Sequence, residues 1–205
     1  MSRSPSNPKG TRDFLPSTLS KRNYIIDIIK DNFKLFGFLE IETPALEKNS
    51  TLLGKYGNEG DRLVFKILNS GDKVKKADVN SLKQNNLSAF TDSISEKGLR
   101  YDLTVPLARF VAQHQNELVF PFKRYQIQNV WRADRPQHGR FQEFTQCDAD
   151  VIGPKSIIQE IELIKLYDAV FSQLGFNDII FKINHRSILT ALANYIGAQN
   201  KLNEF

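Results

Sequence analysis

Residues 122–153 read FKRYQIQNVWRADRPQHGRFQEFTQCDADVIG, and this stretch decides the fold of the chain. Two runs of strand-like composition, one before Arg132 and one after Arg140, flank a polar loop. The two runs are close in the sequence, with a predicted loop of fewer than about ten residues, so they should pair antiparallel. The stretch therefore predicts a β-hairpin that carries charged residues at its turn.

Arginines stand at defined places in this hairpin. Arg132 follows the apolar pair Val130 and Trp131, where a sheet would hold its guanidinium rigid, and Arg140 stands at the start of the second run. Arginine binds phosphate through a planar, bidentate and permanently charged fork. An arginine next to buried strand residues is costly unless it is paired, which favours a phosphate ligand for Arg132 over a solvated surface charge. Arg135, at the loop tip, could equally bind a phosphate or be a solvated surface charge.

The second run carries polar groups on one face. Gln146, Asp148 and Asp150 alternate along it, which places them on the same side of a regular strand. They line either a solvent-facing sheet or a pocket of hydrogen-bond acceptors, and acceptors suit an ammonium or imidazole ligand. Asp102, in the segment LRYDLT, is a fourth candidate because it directly precedes a predicted helix.

Helical and strand patterns alternate along the rest of the chain. Residues 69–97 are polar with few apolar positions, which predicts a mobile surface insertion with a helical turn or two. Helices and an antiparallel sheet together indicate an α+β domain. Thr104 is the predicted N-cap of its helix. Helices are predicted at 18–36, 104–115, 156–174 and 185–197, and strands at 38–44, 63–68 and 177–184.

Composition narrows the class of protein. The chain has 205 residues, a net charge of +5 and a pI near 9.2, which fits an anionic partner such as nucleotide or RNA, or simply a basic surface. Cys147 is the sole cysteine, so no intrachain disulfide or cysteine-based metal site is expected. His114, His138 and His185 lack metal-ligand spacing, and no metal site is predicted. The start, MSRSPSNPKG, has no signal-peptide core, and a cytosolic protein is expected.

Glycine-rich nucleotide motifs are missing from the sequence. It contains neither a GxxxxGK[ST] loop nor a GxGxxG fingerprint, so side chains would have to hold any nucleotide. A GxSxG nucleophile elbow is missing too.

The chain resembles the histidyl-tRNA synthetase family of class II aminoacyl-tRNA synthetases. FGFLEIETPALE is similar to the first motif of that class and the hairpin to its second motif, so the expected fold is a class II catalytic core, an antiparallel sheet flanked by helices. The similar segments are KGTRDFLP (9–16), FGFLEIETPALE (36–47), LLGKYGNEGDRLVFKI (52–67), LRYDLTVPLARFVA (99–112) and the hairpin (122–153).

The resemblance implies an ATP end of the site. Arg132 would bind the α-phosphate and stabilise the charge that develops there, and it is the implied catalytic residue. Asp134 and Arg140 would hold the adenine and γ-phosphate ends of ATP. Phe144 would stack on the adenine, and Mg²⁺ would bridge the phosphates.

The resemblance also implies an amino-acid end and a tRNA contact. Asp102, Thr104 and Gln146 would receive the α-ammonium group of histidine, and Asp150 would face its imidazole. Gln137 and His138, at the loop tip, would approach the acceptor end of tRNA(His).

The implied reaction joins histidine to ATP and then to tRNA(His) in a homodimer. Family members continue with a segment similar to RGLDYYTG, a third motif and an anticodon-binding domain, which residues 1–205 do not contain. We therefore expect the N-terminal part of a catalytic domain, inactive or impaired alone. Two alternatives stay open: a synthetase paralogue that regulates ATP phosphoribosyltransferase, and a dimerising RNA-binding module.

Overall fold

The computed structural model describes residues 5–55, 61–135, 137–153 and 155–198, in which helices and strands alternate. The α-helices are α1 (Pro16–Leu35), α2 (Asn49–Leu52), α3 (Val79–Lys83), α4 (Leu87–Ile94), α5 (Thr104–His114), α6 (Ile158–Gln173) and α7 (Arg186–Tyr195), with a 3-10 helix at Gly71–Lys76. The strands are β1 (Leu39–Glu40), β2 (Leu46–Lys48), β3 (Lys66–Ile67), β4 (Lys97–Leu99), β5 (Phe122–Trp131) and β6 (Glu143–Ile152).

The predicted hairpin is confirmed as the centre of the larger sheet. Strands β5 and β6 pair antiparallel over their whole lengths, from Phe122 opposite Ile152 to Trp131 opposite Glu143. The connecting loop, residues 132–142, is longer than predicted because regular pairing stops at Trp131 and Glu143. Strand β1 joins the other edge of β5 in parallel orientation, so the sheet order is β1-β5-β6.

A second, smaller sheet stands beside the first. Strands β2 and β3 both pair antiparallel with β4, which gives the order β2-β4-β3. The backbone of Arg100, just after β4, links this sheet to β5, since the Trp131 N–H donates to the Arg100 carbonyl oxygen at 3.0 Å. The two sheets thus hold the segment between β4 and α5 close to the end of β5.

The main hydrophobic core lies between the hairpin and helices α1 and α6. Strand residues point alternately to the two faces of a sheet, and Tyr125 is the buried member of the apolar face. Its ring stacks on Phe33 of α1 with the ring centroids 4.7 Å apart. The core consists of Phe33, Phe38, Tyr125, Leu166 and Val170, with Ile127, Ala149 and Val151 packed against it.

Most predicted elements of the α+β fold are confirmed, and two predictions are wrong. Residues 177–184, all within the described part of the chain, form neither helix nor strand, and Ile180 and Ile183 are exposed. Thr104 is the first residue of α5 and not its N-cap. The capping acceptor is the Asp102 carboxylate, whose Oδ1 lies 3.2 Å from the backbone nitrogen of Val105. The Asp102 carboxylate accepts this N–H from two residues before the helix, where its negative charge also interacts favourably with the helix dipole.

The predicted insertion at 69–97 contains more helix than expected. The 3-10 helix and helices α3 and α4 occupy it, and Asp78 and Asn86 cap the two α-helices through their side chains. Its mobility stays a prediction. None of the described helices has the length and apolar character needed to cross a membrane.

The core between α1, the hairpin and α6 should dominate stability. Leu166 of α6 is 4% exposed, whereas Ile158 at the start of the same helix is 65% exposed. We expect Leu166→Ala to lower the free energy of unfolding by about 2–5 kcal/mol, because it leaves a cavity. Ile158→Ala should cost less than about 1 kcal/mol. Urea unfolding of both variants measures the difference, and equal losses would contradict this assignment of the core.

Candidate active site

The second face of the hairpin is polar, and its side chains pair across the two strands. Arg124 lies directly opposite Asp150, and both belong to the face that points away from α1 and α6. Arg124 and Gln126 are fully buried. The facing pairs on this side are Phe122 with Ile152, Arg124 with Asp150, Gln126 with Asp148, Gln128 with Gln146, and Val130 with Phe144.

Arg100 fixes the β4–α5 segment over this face. Its side chain is 3% exposed, and its Nε donates to the Asn129 carbonyl oxygen at 2.9 Å. Its Nη1 donates to Gln128 Oε1 at 2.9 Å and to the carbonyl oxygen of Thr43. The Gln126 amide completes the network by donating to Thr43 Oγ1 at 2.8 Å. Buried groups that are all hydrogen-bonded in this way specify one arrangement of the segments they join.

Asp102 and Arg132 are brought to the same face by this arrangement. Arg132 Nε donates to the Tyr101 carbonyl oxygen at 3.0 Å, so the arginine is held by the β4–α5 segment. Its guanidinium lies 5.2 Å from the centroid of the Phe144 ring. The Asp102 carboxylate is 8% exposed and close enough to Asp148 to influence its pKa. Five of the predicted residues thus share one surface: Asp102, Arg132, Phe144, Gln146 and Asp150.

The carboxylates on this face are unequal. Burial raises the pKa of Asp148 above its usual value, and the like charges of Asp150 and Asp102 raise it further, while Arg124 and a hydrogen bond from Gln146 oppose the shift. Asp150 forms an ion pair with Arg124 and keeps 39% of its side chain exposed. The carboxylates of Asp102, Asp148 and Asp150 therefore lie near the buried guanidinium of Arg124, and the exposed part of Asp150 suits a cationic ligand.

The predicted residues of the β5–β6 loop lie further out. Asp134 is half-buried, and its carbonyl oxygen accepts a hydrogen bond of 2.9 Å from the Gln142 side chain. The backbones of Gln137 and Arg140 bond to each other and close a tight turn. Four loop side chains are exposed: Arg135, Gln137, His138 and Arg140. The roles predicted for Asp134, Arg140, Gln137 and His138 therefore stay predictions.

Thr104 begins helix α5, two residues after Asp102. It is exposed at the start of α5 and lines an open cleft of about 600 Å³ that also contacts Ile152, the last residue of β6. Its position at the helix N-terminus offers a hydroxyl group at the positive end of the helix dipole. Its predicted contact with an ammonium group stays a prediction.

The N-terminal segment holds the base of the β5–β6 loop. The Gly10 carbonyl oxygen accepts a hydrogen bond of 2.8 Å from the Gln142 N–H. The Arg12 guanidinium lies 3.4 Å from the centroid of the Phe141 ring. Gly10 has φ +79°, and an added Cβ would come within 2.7 Å of Gln142 Cγ, so glycine is required for this approach. We call residues 8–14 with their contacts to 141–143 the N-terminal clasp.

Sequence reasoning missed the buried half of the site. Thr43, Arg100, Arg124 and Gln126 are all buried on the polar face or against it. A signal for two of them was present, because Arg124, Gln126 and Gln128 alternate along β5 in the same way as the polar residues of β6. Nothing in the sequence around Arg100 or Thr43 indicates that they meet at one point.

The comparison with known proteins decides the family. The sequence profile of histidyl-tRNA synthetase matches residues 76–205. The chain belongs to the histidyl-tRNA synthetase family. A histidine–tRNA ligase from Christiangramia forsetii is 62% identical over 205 residues, which are 100% of this chain and 45% of that protein. The chain thus spans about half the length of the curated synthetases it matches.

Solved structures of histidyl-tRNA synthetase confirm the class II fold. The enzyme from Nostoc sp. PCC 7120 has a TM-score of 0.73 at 30% identity, over 93% of this chain and 39% of that chain. A Bacillus halodurans C protein described as an ATP phosphoribosyltransferase regulatory subunit/histidyl-tRNA synthetase has a TM-score of 0.72 at 26% identity, over 97% of this chain and 46% of that one. The predicted α+β synthetase core is therefore confirmed.

The N-terminal clasp should restrain the loop of this synthetase core. We expect Arg12→Ala to speed tryptic cleavage at Arg140 by several-fold, because the loop loses its contact through Phe141. Lys9→Ala, which removes a cation from the same segment, is the matched control. Cleavage is followed by mass spectrometry of the released peptides. Equal cleavage rates in the two variants would show that the clasp does not restrain the loop.

Because of Asp148, the free energy of unfolding should decrease as pH rises. Its folded-state pKa is raised, so the protonated form is favoured in the native state and stability is lost as pH rises through that pKa. Asp148→Asn keeps an acceptor for Gln146 and removes the charge. We expect the variant to match the wild type at about pH 3.5 and to gain at most on the order of 1 kcal/mol at neutral pH, since solvent screens this half-buried group. Urea unfolding at stepwise pH measures the gain, and a constant difference would contradict the shift.

Proposed function

We propose that the protein to which this chain belongs is a histidine–tRNA ligase and that the polar face of the hairpin is part of its adenylation site. The observation that carries the proposal is that Arg132 and Phe144 lie at one end of the face and Asp150 at the other, while Asp102 comes close to Asp148 between them. One end offers a cation and an aromatic ring, which suit ATP. The other offers carboxylates, which suit the two nitrogen-bearing groups of histidine.

The ATP end is built for charge stabilisation. Arg132 is fixed by the Tyr101 carbonyl oxygen, so its guanidinium is preorganised before ATP arrives. A preorganised cation stabilises the charge that builds on the α-phosphate in the transition state. Phe144 supplies the ring on which adenine stacks. Asp134 and Arg140 contact the adenine and γ-phosphate ends once the loop closes on the nucleotide, with Mg²⁺ bound to the phosphates.

The histidine end is built for recognition. Asp102 and Gln146, with the Thr104 hydroxyl, receive the α-ammonium group, and Asp150 accepts a hydrogen bond from the imidazole. Gln146 Oε1 is buried and has no hydrogen-bond partner among the described residues, so it has an acceptor to offer a ligand. A site whose acceptors match an imidazole N–H rejects analogues that lack it, because their binding leaves these groups unpaired.

The reaction follows from bringing the two ends together. The histidine carboxylate attacks the α-phosphorus of ATP, the bond to the bridging oxygen breaks, and histidyl-adenylate and pyrophosphate form. The ribose hydroxyl at the 3′ end of tRNA(His) then attacks the activated carbonyl carbon and releases AMP. Gln137 and His138 lie at the exposed loop tip, where the tRNA acceptor end can reach them. Positioning of the reactants supplies most of the rate.

A ligase is better supported than a regulatory paralogue. Several curated relatives that are 54–62% identical to this chain are histidine–tRNA ligases. The Bacillus halodurans protein whose description includes a regulatory subunit is only 26% identical. Arg132, Phe144 and the whole loop are also present together, and a regulator that does not bind ATP has no need of them.

The functional unit we propose is a cytoplasmic homodimer. Support comes from apolar side chains that stay exposed on helix α1 and strand β1, within the segments similar to the first class II motif or next to it. These are Leu19, Tyr24, Ile25, Leu35 and Leu39. Such a patch is typical of a surface that another subunit covers.

Histidine-dependent exchange between ATP and pyrophosphate tests the proposal. We expect little exchange from residues 1–205 and measurable exchange from the same chain extended to the length of its relatives. Arg132→Ala in the extended chain should lower exchange about 10²–10³-fold, because the transition-state charge loses its cation. Arg186→Ala, at an exposed arginine of α7, is the matched control. A folded, extended chain that gives no exchange would rule the ligase out, and an unaffected Arg132→Ala variant would remove the role of that residue.

A further inference from the structure

One buried cation lies beneath the amino-acid end of the polar face. Arg124 has no exposed side-chain surface, and its Nη2 forms an ion pair with Asp150 Oδ2 on the neighbouring strand. Its Nη1 lies 3.4 Å from Gln126 Oε1. A buried arginine is costly unless it is paired, and the pair with Asp150 is the close ionic contact that offsets this cost.

Arg124 and Asp150 differ in their exposure to solvent. Arg124 is fully enclosed, while 39% of the Asp150 side chain is exposed. The guanidinium therefore contacts the carboxylate from the protein interior. A ligand N–H must approach the part of the carboxylate that stays open. Asp150 is thus placed as a ligand-binding group would be, with its orientation fixed by the buried Arg124 on the side away from solvent.

We propose that Arg124 is a positioning residue of the histidine site, which acts through Asp150 by holding its carboxylate in one orientation toward the ligand. The inference rests on the proposed function, in which Asp150 faces the imidazole. Arg124 itself touches no ligand, because it is fully buried. Its effect on histidine binding must therefore pass through the carboxylate.

The negative charges on this face explain why a cation such as Arg124 is needed there. Asp150 shares the face with Asp148 and is close enough to raise its pKa, and Asp102 approaches Asp148 from the β4–α5 segment. Carboxylates in such proximity tend to take up a proton, which would convert an acceptor into a donor. Arg124 lies opposite this group. Its charge favours the ionised form of Asp148, and it holds the Asp150 carboxylate through the ion pair. A carboxylate held in this way can accept a hydrogen bond from an imidazole N–H.

A neighbouring residue on the same strand provides a matched control. Lys123 points to the opposite face of β5, and its Nζ forms an ion pair of 2.6 Å with Glu162 of α6. Arg124→Met and Lys123→Met each remove one paired cation from β5. Only the first faces the proposed site.

The first experiment needs no ligand. Carboxyl groups of aspartate are labelled with ¹³C in this chain, and their resonances are recorded by NMR at neutral pH. We expect Arg124→Met to move and broaden the Asp150 carboxyl resonance, because the carboxylate loses the partner that orients it, and Lys123→Met to leave this resonance in place. An unchanged Asp150 resonance in a folded Arg124→Met protein would overturn the inference, whatever the fate of the proposed function.

The second experiment is a double-mutant cycle on L-histidine binding, measured by calorimetry with Arg124→Met, Asp150→Asn and the double variant. In metal sites, removing a group that orients a ligating side chain lowers affinity about 10- to 100-fold, and we expect a loss of the same order here. If Arg124 acts through Asp150, the double variant should bind no more weakly than Asp150→Asn alone. If the two substitutions lower the affinity for L-histidine independently, so that their fold-losses multiply in the double variant, the inference is overturned. Arg124 would then have a general structural role that does not pass through Asp150.

Two outcomes are kept separate by the design. If the wild-type protein binds no L-histidine in this chain or in the extended one, the proposed function fails, and the NMR spectra alone decide what Arg124 does to Asp150.

If Arg124→Met does not fold, Arg124→Lys keeps the charge and removes the planar fork. Arg124→Lys should keep the Asp150 resonance closer to its wild-type position and retain part of the affinity, and a variant that binds no better than Asp150→Asn would count against a role of the charge.

Discussion

The arrangement of the candidate site depends on one buried side chain, that of Arg100. It hydrogen-bonds to the backbone of Asn129 in β5 and of Thr43 after β1, and to the Gln128 side chain, while its own backbone accepts from Trp131. Burial lowers the pKa of Arg100, and the negative charges of Glu42 and Glu47 oppose that shift. A guanidinium in such a place stays ordered only because almost every partner is supplied by the fold. The β4–α5 segment can therefore take only one position over the hairpin.

The polar face shows how one strand serves two purposes. Tyr125 and Ile127 of β5 pack into the core below, and Arg124, Gln126 and Gln128 alternate with them on the side of the candidate site. Tyr125 and Arg124 are neighbours in the sequence and both are buried, yet one stacks on Phe33 and the other pairs with Asp150. Stability and chemistry are thus encoded in alternate positions of the same ten residues, and the sheet separates them into two layers.

Local patterns were sufficient to predict the hairpin, the long helices and the polar face of β6, because each depends on periodicity within a short window. The strand predicted at 177–184 was wrong for a physical reason. NDIIFKIN has strand-like composition, but a strand forms only where a partner offers hydrogen bonds, and the described residues place no strand beside it. Arg100 and Thr43 could not be found from the sequence, because their importance comes from a meeting of residues that are 57 positions apart.

The N-terminal clasp has a consequence for the order in which the protein is made. Gly10 and Gln142 bond to each other, yet ribosomes add about 5–20 residues per second, so Gly10 is synthesised on the order of ten seconds before its partner. During that interval the segment around Gly10 has no loop to hold. The hairpin must form first, and the N-terminal segment then closes over its loop. The contacts at the base of the β5–β6 loop are therefore completed only after both strands of the hairpin have been made, although Gly10 and Arg12 were among the first residues to be synthesised.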